Sequence, residues 1–178
     1  GAWRAGRGGR GGVKWRVCEG GRYSGMVLLF ATDTGQLLCT FNGGYVQKTR
    51  VGAASGVAAK YLAPEVSCVG IVGTGIQARL QLKYLERITP CRQAIVWGRR
   101  PEAALEYVAD MVGWNIRIAS DIEDLVAGAN LIVTTTPSTE PLVTRVRPGT
   151  HITAMGSDTP DKQELAVSIV ATADVVVA

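Results

Sequence analysis

The feature that most constrains this chain is an apolar run followed by a glycine-spaced turn, VGIVGTGIQA at residues 69–78. The turn has the spacing G-x-G-x-x-A and joins a predicted strand to a predicted helix. In this context Gly73 allows a tight turn, Gly75 leaves the main chain bare, and Ala78 lets the helix pack closely on a sheet. The pattern predicts a dinucleotide site in which N–H groups at the helix start bind a pyrophosphate.

The residues of the turn are the candidates for this contact: Gly73, Thr74, Gly75, Ile76 and Gln77. The alternative is that a Gly-x-Gly turn merely connects a strand to a helix, as it can in any α/β protein. The flanking strand and helix favour the dinucleotide site over that alternative.

Strand-like and helix-like segments alternate through the chain after residue 64. Strands are predicted at 68–72, 93–97, 115–118, 130–135, 150–154 and 174–178, and helices at 76–88, 101–112 and 121–127. This alternation is typical of a parallel sheet with right-handed crossovers. The predicted fold class is therefore α/β, a Rossmann-type doubly wound sheet, and residues 64–178 form the predicted dinucleotide-binding domain.

The segment before this domain predicts a different kind of structure. Apolar runs at 26–31 and 36–41 are joined by Thr-Asp-Thr-Gly, which is typical of a β-hairpin. Small and apolar residues at helical spacing predict a helix over 49–62, which Pro64 ends. Residues 13–63 are interpreted as part of a second, α+β domain for substrate binding and dimerisation.

The first residues are rich in glycine and arginine. Residues 1–22 hold six basic side chains against Glu19, a charge of +5, whereas the whole chain carries +4. Such a segment buries little apolar surface, so residues 1–12 are predicted to be a disordered leader, or else a cloning or gene-model artefact. An RNA-binding segment is a further alternative, but no aromatic-rich platform accompanies it, and no nucleic-acid partner is expected.

Cysteine spacing and hydropathy exclude several classes of protein. The four cysteines are too far apart for a C-x-x-C metal or redox pair, so we expect reduced thiols and no metal site: Cys18, Cys39, Cys68 and Cys91. No apolar run approaches the length of a membrane span, and no secretory signal pattern opens the chain. A soluble, cytoplasmic protein without a membrane partner is expected.

The second predicted strand of the nucleotide domain ends in Gly98-Arg99-Arg100, roughly 20 residues after the turn. Folds of this kind place an acidic side chain there to bind a ribose 2′-hydroxyl, or an arginine to accommodate a 2′-phosphate. The arginines therefore favour NADP(H), with NAD(H) as the other possible coenzyme. The alternative is that Arg99 and Arg100 form a solvated turn before Pro101.

Polar residues also follow the later strands, at the sheet edge where open α/β sheets bind ligands. Asp158 follows one such strand and is the candidate for proton transfer, although an aspartate that only forms a turn is the alternative. Thr134, Thr135 and Thr136 end another strand on the same edge. With Met155, they are expected to line the nicotinamide side of the site.

Three further residues have a structural interpretation, and for Arg50 and His151 a functional one stands beside it. Arg50 stands at the start of the predicted helix, where its forked donors could bind a substrate carboxylate, or it is simply an exposed arginine beside a helix. Lys162 could be only a cation on a helix surface. His151 heads a strand, where a lone histidine is more often structural than catalytic.

Five segments resemble the ornithine cyclodeaminase and μ-crystallin family of NAD(P)-dependent enzymes, over roughly residues 13–178. They are TRVGAASGVAAKYLAP, IVGTGIQARLQ, VWGRRPEAA, ANLIVTTTPSTEPLV and GTHITAMGSDTPDKQEL. The phrases NGGYVQKTR and TAMGSD most resemble the branch that includes ectoine-utilisation proteins. Family members are longer than this chain, so a fragment without the C-terminal part of the family fold is expected.

The resemblance implies roles for three residues. Arg50 matches the arginine that binds the amino-acid carboxylate, and Asp158 matches the catalytic aspartate. Lys14, in the phrase GVKW, matches a substrate-site lysine that acts as a carboxylate ligand or as an acid/base partner in different members. A homodimer is implied for the full-length protein.

The resemblance also implies hydride exchange at the Cα of a small amino acid or cyclic imine. The reaction would be a cyclodeamination, such as ornithine to proline and ammonia, or the single hydride transfer of a ketimine reductase or amino-acid dehydrogenase. The alternative is a non-catalytic NADP(H)-binding or buffer protein of the crystallin type, or an inactive fragment.

Overall fold

The structure is a computed structural model that describes residues 2–4, 10–19 and 22–177, with side chains described from residue 25 onward. The chain divides into two compact units, Gly1–Arg50 and Val51–Ala178. Among the described residues, no helix combines the length and the apolar character that a membrane crossing requires.

The first unit contains a four-stranded antiparallel sheet in the order β1-β2-β3-β4. Its strands are β1 Ala2–Arg4, β2 Arg10–Glu19, β3 Arg22–Ala31 and β4 Leu37–Asn42. The turn between β3 and β4 places Gly35 at a φ of 71°, and the Ala31 N–H donates to the Gln36 carbonyl at 2.9 Å. The predicted hairpin is confirmed, although β3 begins earlier than its apolar run.

Strands β1 and β2 occupy part of the segment for which a disordered leader was expected. The main chain of β2 pairs with β3 along its whole length, from Arg10 opposite Ala31 to Glu19 opposite Arg22. The Gly- and Arg-rich composition of the first residues masked a strand signal that begins at Val13, where Val13, Trp15 and Val17 alternate with Lys14 and Arg16. The boundary between the two units also differs from the predicted one, since it follows Arg50 instead of residue 63.

Helix α1 spans Gly43–Leu62 and ends before Pro64, as predicted. Its start is earlier than the predicted residue 49, because Asn42 caps the helix: the Asn42 Oδ1 accepts from the Tyr45 N–H at 3.0 Å. The two glycines of the first turn have low helix propensity, so the earlier start of the helix was not predicted from the sequence. Arg50 therefore lies about two turns inside α1, which corrects its expected position at the helix start.

The second unit contains a five-stranded parallel sheet in the order β7-β6-β5-β8-β9, which confirms the predicted α/β class. Its strands are β5 Val69–Val72, β6 Gln93–Trp97, β7 Asn115–Ile118, β8 Leu131–Thr134 and β9 His151–Ala154. Val72 at the end of β5 pairs with the last residues of both β6 and β8, and Thr134 pairs with the last residue of β9. Four strands thus end level at one edge, here called the carboxyl edge.

Helices cover both faces of this sheet. They are α2 Ile76–Leu85, α3 Pro101–Asp110, α4 Ile122–Gly128 and α5 Val167–Ala171. Ile71 of β5 packs in one core with Leu82 and Tyr107 from α2 and α3. The next residue, Val72, packs in a second core that contains Leu125 of α4. The central strands β5 and β8 are buried at every residue, and with cores on both faces the sheet is doubly wound as predicted.

The strand predicted at 174–178 is wrong for its described part. Residues 174–177 form no strand, and the three valines at 175–177 are exposed. Valine favours a strand only where a neighbouring strand offers backbone groups, and no described strand pairs with this segment. Helices α2 and α3 also end two or three residues earlier than predicted, and the short helix α5 was not predicted.

Tyr107 connects α3 to α2. Its ring is fully buried, and its hydroxyl donates to the Ala78 carbonyl at 3.1 Å. Burial raises the pKa of this phenol above its ordinary value, so the hydroxyl remains a donor throughout the physiological range.

Tyr107→Phe removes this hydrogen bond without leaving a large cavity. We expect the free energy of unfolding to fall by about 1 kcal/mol, as measured by urea denaturation. Tyr61→Phe is the matched control, because the Tyr61 side chain is exposed, and it should change stability by less than about 0.5 kcal/mol. Equal effects of the two substitutions would contradict the role of the Tyr107 hydroxyl.

Candidate functional site

The glycine turn follows β5 at the carboxyl edge. Gly73 has a φ of 112°, which L side chains rarely adopt, and its N–H donates to the Trp97 carbonyl at 2.8 Å. A Cβ at Gly73 would lie 2.8 Å from the Thr135 Oγ1. Glycine is therefore required here both by the backbone conformation and by the close approach of the β8 end.

Gly75 differs, because nothing in the described protein requires it to be glycine. Its backbone is extended, with φ −81° and ψ −172°, and a Cβ built there would meet no described atom within 4 Å. It stands at the N-cap of α2 and, having no side chain, cannot itself accept a hydrogen bond from the first N–H groups of the helix. Open space over bare main chain at an uncapped helix start is the geometry that binds a pyrophosphate.

The other turn residues surround this space. Thr74 packs against the end of β6, where a Cβ at Gly98 would lie 2.6 Å from the Thr74 Cγ2. Ile76 is exposed and Gln77 is half-buried. Because the side chain of Ile76 is apolar, only its main-chain N–H can contribute to binding an anion.

Arg79 of α2, which was not among the predicted site residues, binds the glycine turn. Its guanidinium donates to the Thr74 carbonyl, and its Nε and Nη2 lie 2.8 and 2.7 Å from the Asp110 Oδ2 on α3. The guanidinium also lies 5.3 Å from the centre of the Tyr107 ring, within cation–π range. The spacing carried a signal, because Arg79 stands four residues after Gly75 and so lies one helical turn from it.

Arg99 and Arg100 follow β6, and both are exposed. Within the described part of the chain, no hydrogen bond or ion pair holds either guanidinium. The contact between Gly98 and Thr74 brings the β6 end beside the glycine turn. Two unpaired cations thus follow the strand next to the candidate pyrophosphate site.

The threonines at the end of β8 are bound by Glu164, a carboxylate that sequence analysis did not identify. Its Oε2 accepts from the Thr134 Oγ1 at 2.7 Å, and its Oε1 accepts from the Thr136 Oγ1 at 2.8 Å. The Thr135 hydroxyl donates to the Val72 carbonyl at 3.3 Å. All three hydroxyls are therefore engaged within the protein, and Thr134 is fully buried. That these residues line a nicotinamide site stays a prediction.

Asp158 lies in the loop after β9, with its side chain 45% exposed, and its Oδ1 accepts from the Lys162 Nζ at 2.7 Å. The expected position of Lys162 on a helix surface is wrong. Residues 155–166 contain no helix, because the main chain that follows Lys162 pairs with a neighbouring segment. Met155 continues the pairing of β9 with β8, since its N–H donates to the Thr134 carbonyl at 2.9 Å.

His151 begins β9, so it lies at the edge of the sheet opposite the glycine turn. Its Nε2 lies 3.1 Å from the Thr153 Oγ1, and burial lowers the pKa of the imidazole. These features support the structural interpretation of His151.

Lys14 and Arg50 belong to the first unit. The main chain of Lys14 lies in β2 opposite Val27, and its side chain is outside the described residues. Arg50 is exposed on α1. Their role in substrate binding stays a prediction.

A family model with the description Ornithine cyclodeaminase/mu-crystallin family matches residues 21–178. The chain is similar to an uncharacterized cyclodeaminase of Sinorhizobium fredii, with 40% identity over 163 residues that cover 87% of this chain and 49% of that protein. It is also similar to the ketimine reductase mu-crystallin of Rattus norvegicus, with 34% identity over 144 residues, 78% of this chain and 45% of that protein. The chain spans about half the length of the curated relatives it matches.

Among solved structures, the chain is similar to an archaeal alanine dehydrogenase dimer with bound NAD. The TM-score is 0.87 at 34% sequence identity, and the match covers 93% of this chain and 55% of that one. The likeness in fold therefore extends to a protein whose structure contains a pyridine dinucleotide.

Gly75→Ala separates binding from folding. Alanine can adopt the backbone conformation of Gly75. It stabilises the protein by restricting the unfolded chain and destabilises it because alanine is a poorer N-cap than glycine. The two effects oppose each other, so the free energy of unfolding should change by less than about 1 kcal/mol. The new methyl group occupies the space proposed for the pyrophosphate, so affinity for NADPH and NADH should fall about tenfold or more. Calorimetric titration and thermal unfolding measure the two effects.

Gly73→Ala provides the comparison, because its positive φ makes alanine costly whether or not a ligand is bound. This variant should lose both stability and affinity. Unchanged coenzyme affinity in a folded Gly75→Ala variant would contradict the proposed position of the pyrophosphate.

Proposed function

Because the chain belongs to the ornithine cyclodeaminase/mu-crystallin family, we propose that it forms the coenzyme-binding part of an NAD(P)-dependent enzyme that acts at the Cα of a small amino or imino acid. The observation that carries this proposal is the open space over Gly75 at the uncapped start of α2. The similarity to a dehydrogenase with bound NAD supports it.

In this proposal the main-chain N–H groups at the start of α2 bind the pyrophosphate. Strand β5 lies between β6 and β8, so the adenosine half of the coenzyme would extend towards β6 and the nicotinamide half towards β8 and β9. When bound, the coenzyme supplies the ring that accepts or donates a hydride. The residues that follow β8 and β9 would then lie next to the reacting atoms: Thr135, Thr136, Met155 and Asp158.

We propose NADP(H) as the preferred coenzyme. Trp97 at the end of β6 is followed by Gly98 and two exposed, unpaired arginines. Residues 98–101 include no acidic side chain that could bind a ribose 2′-hydroxyl. Arg99 or Arg100 could instead form charge-assisted hydrogen bonds with a 2′-phosphate. NAD(H) would bind without these contacts, and therefore more weakly.

Asp158 is the proposed acid/base. It lies beyond the carboxyl edge, where an aspartate can accept a proton from a substrate amine or activate water. The ion pair with Lys162 orients its carboxylate. The resemblance assigns the substrate carboxylate to Arg50 and Lys14, and the forked donors of an arginine suit that contact.

The proposed reaction removes a hydride from Cα, and a proton from the amine, to give an imine. In a cyclodeaminase the side-chain amine of the substrate attacks that imine, ammonia leaves, and the hydride returns, which converts ornithine to proline. A ketimine reductase or an amino-acid dehydrogenase uses a single transfer. A preference for NADP(H) favours the single transfer, because a cyclodeaminase reuses the coenzyme it holds and needs no exchange.

The whole enzyme is proposed to be a cytoplasmic homodimer. Several apolar side chains of the first unit are exposed: Met26, Leu37, Leu38, Phe41 and Tyr45. Burial of such a surface against a second copy would stabilise a dimer. The cysteines with described side chains are free thiols, as expected in a reducing compartment: Cys39, Cys68 and Cys91.

Arg99→Ala tests the coenzyme preference. The substitution should weaken NADPH binding more than NADH binding by about 1–3 kcal/mol, the scale of charge-assisted hydrogen bonds to a phosphate. Arg87→Ala is the matched control, because Arg87 lies past the end of α2 that is farther from the turn, and it should leave the ratio of the two affinities unchanged. Equal losses for both coenzymes would remove the assignment of NADP(H).

Asp158→Asn tests the reaction. Turnover of ornithine, alanine, pyruvate with ammonia, or a cyclic imine should fall at least about 100-fold, while coenzyme affinity is retained. The absorbance of the reduced coenzyme, together with proline formation from ornithine, measures turnover. Asp161→Asn, in the same loop, is the control and should keep the activity.

Retained turnover in Asp158→Asn would contradict the role of this aspartate. If the wild-type chain binds coenzyme but turns over none of these substrates, the result would instead favour a non-catalytic NADP(H)-binding protein.

A further inference from the structure

Glu164 is a fully buried carboxylate, and within the described residues no basic side chain pairs with it. Its oxygens accept four hydrogen bonds, from the Thr134 and Thr136 hydroxyls and from the Thr136 and Gly156 main-chain N–H groups. A carboxylate offers about four acceptor positions, so the acceptor capacity of Glu164 is filled.

The four donors come from two separate segments. Thr136 lies just beyond β8 and donates its N–H to Oε1 at 2.5 Å, whereas Gly156 lies just beyond β9 and donates its N–H to Oε2 at 2.7 Å. The regular pairing of β8 with β9 ends at Thr134 and Ala154. Glu164 therefore connects the segments that follow β8 and β9, beyond the last residues that pair in the sheet.

The main chain of the loop that carries Asp158 lies close to this carboxylate at Gly156. A Cβ at Gly156 would lie 2.0 Å from the Thr136 carbonyl oxygen and 2.5 Å from the Glu164 Cδ, so only glycine fits. The Glu164 N–H also donates to the Ser157 Oγ at 3.1 Å. The two residues immediately before Asp158 are thus both bound by Glu164.

We propose that Glu164 is a positioning residue for the nicotinamide half of the coenzyme site: its carboxylate sets the distance between the end of β8 and the loop that carries Asp158. This inference rests on the proposed function of that site. Burying a carboxylate costs free energy that its hydrogen bonds must offset, so Glu164 adds little to the free energy of unfolding. Its main effect is to fix the relative positions of the segments that it binds.

The two halves of the site are held by different residues. On the side of β6, Arg79 binds the Thr74 carbonyl and Gly98 packs against Thr74. Within the described residues, the Glu164 carboxylate has no hydrogen bond on that side, since its donors lie at the end of β8 and in the segments that follow β8 and β9. A change at Glu164 should therefore disturb the nicotinamide half and leave the adenosine half intact.

Glu164→Gln is the informative substitution because it keeps the size of the side chain. Oε1 faces the Thr136 N–H and Oε2 faces the Gly156 N–H, so the new amide NH₂ must oppose one main-chain donor in either orientation. At least one of the two main-chain hydrogen bonds is lost. Glu140→Gln is the matched control, since Glu140 is exposed.

The experiment compares the better-bound coenzyme with its fragment that lacks nicotinamide, namely 2′-phospho-ADP-ribose for NADPH or ADP-ribose for NADH. Isothermal titration of Glu164→Gln should show affinity for the coenzyme lowered about tenfold and affinity for the fragment within about twofold of wild type. Glu140→Gln should match the wild-type chain for both ligands.

Thr134→Val keeps the test valid if Glu164→Gln does not fold, because it is nearly isosteric and removes one of the four hydrogen bonds. It should give a smaller loss confined to the intact coenzyme. Equal losses for coenzyme and fragment, or no loss for either, would overturn the positioning role while leaving the coenzyme site in place. A folded wild-type chain that binds neither ligand would overturn the proposed function itself.

Discussion

The proposed coenzyme site at the carboxyl edge depends on the main-chain N–H groups at the start of α2, where Gly75 has no side chain to cap them. Helices of soluble proteins commonly satisfy such groups with a Ser, Thr, Asp or Asn cap, which contributes about 1 kcal/mol. Here Gly75 stands at the cap position, provides no side-chain acceptor and leaves the space beside it open. The helix dipole adds partial positive charge at the same place, so an anionic group is the ligand that compensates best.

The donors can act on a ligand only if the surrounding segments keep their positions. On one side, Arg79 connects the turn to α3 through Asp110 and lies over the Tyr107 ring, so its contacts join α2, α3 and the turn. On the other side, Glu164 joins the segments that follow β8 and β9. In both cases a charged side chain binds main-chain groups of segments that follow strands at the carboxyl edge.

The sequence predicted those parts of the structure that depend on local pattern. The turn at Gly73, the apolar strands of the parallel sheet and the hairpin at Gly35 each need particular residues at fixed spacing, and each is present. Strand β2 carries a local pattern that was not recognised, because Val13, Trp15 and Val17 alternate with Lys14 and Arg16 over only half of its length. The apolar end of the chain, at 174–177, shows the converse: its residues favour a strand, but no described strand pairs with them.

The candidate site was predicted less completely than the fold, for a related reason. The glycines of the turn and the arginines after β6 could be located from the sequence because they follow predicted strands at a recognisable spacing. Glu164 could not, because it binds threonines 30 and 28 positions away, and nothing in its own neighbourhood indicates that contact. Lys162 was misplaced for the same reason, since its segment follows long-range pairing and not helix propensity.

Amide hydrogen exchange over residues 73–78, measured with and without a saturating pyridine dinucleotide, tests the central claim most directly. We expect the N–H groups at the start of α2 to exchange more slowly in the presence of the dinucleotide, because the pyrophosphate would accept their hydrogen bonds. Unchanged exchange in this segment, in a chain that is folded and exposed to the ligand, would contradict the account.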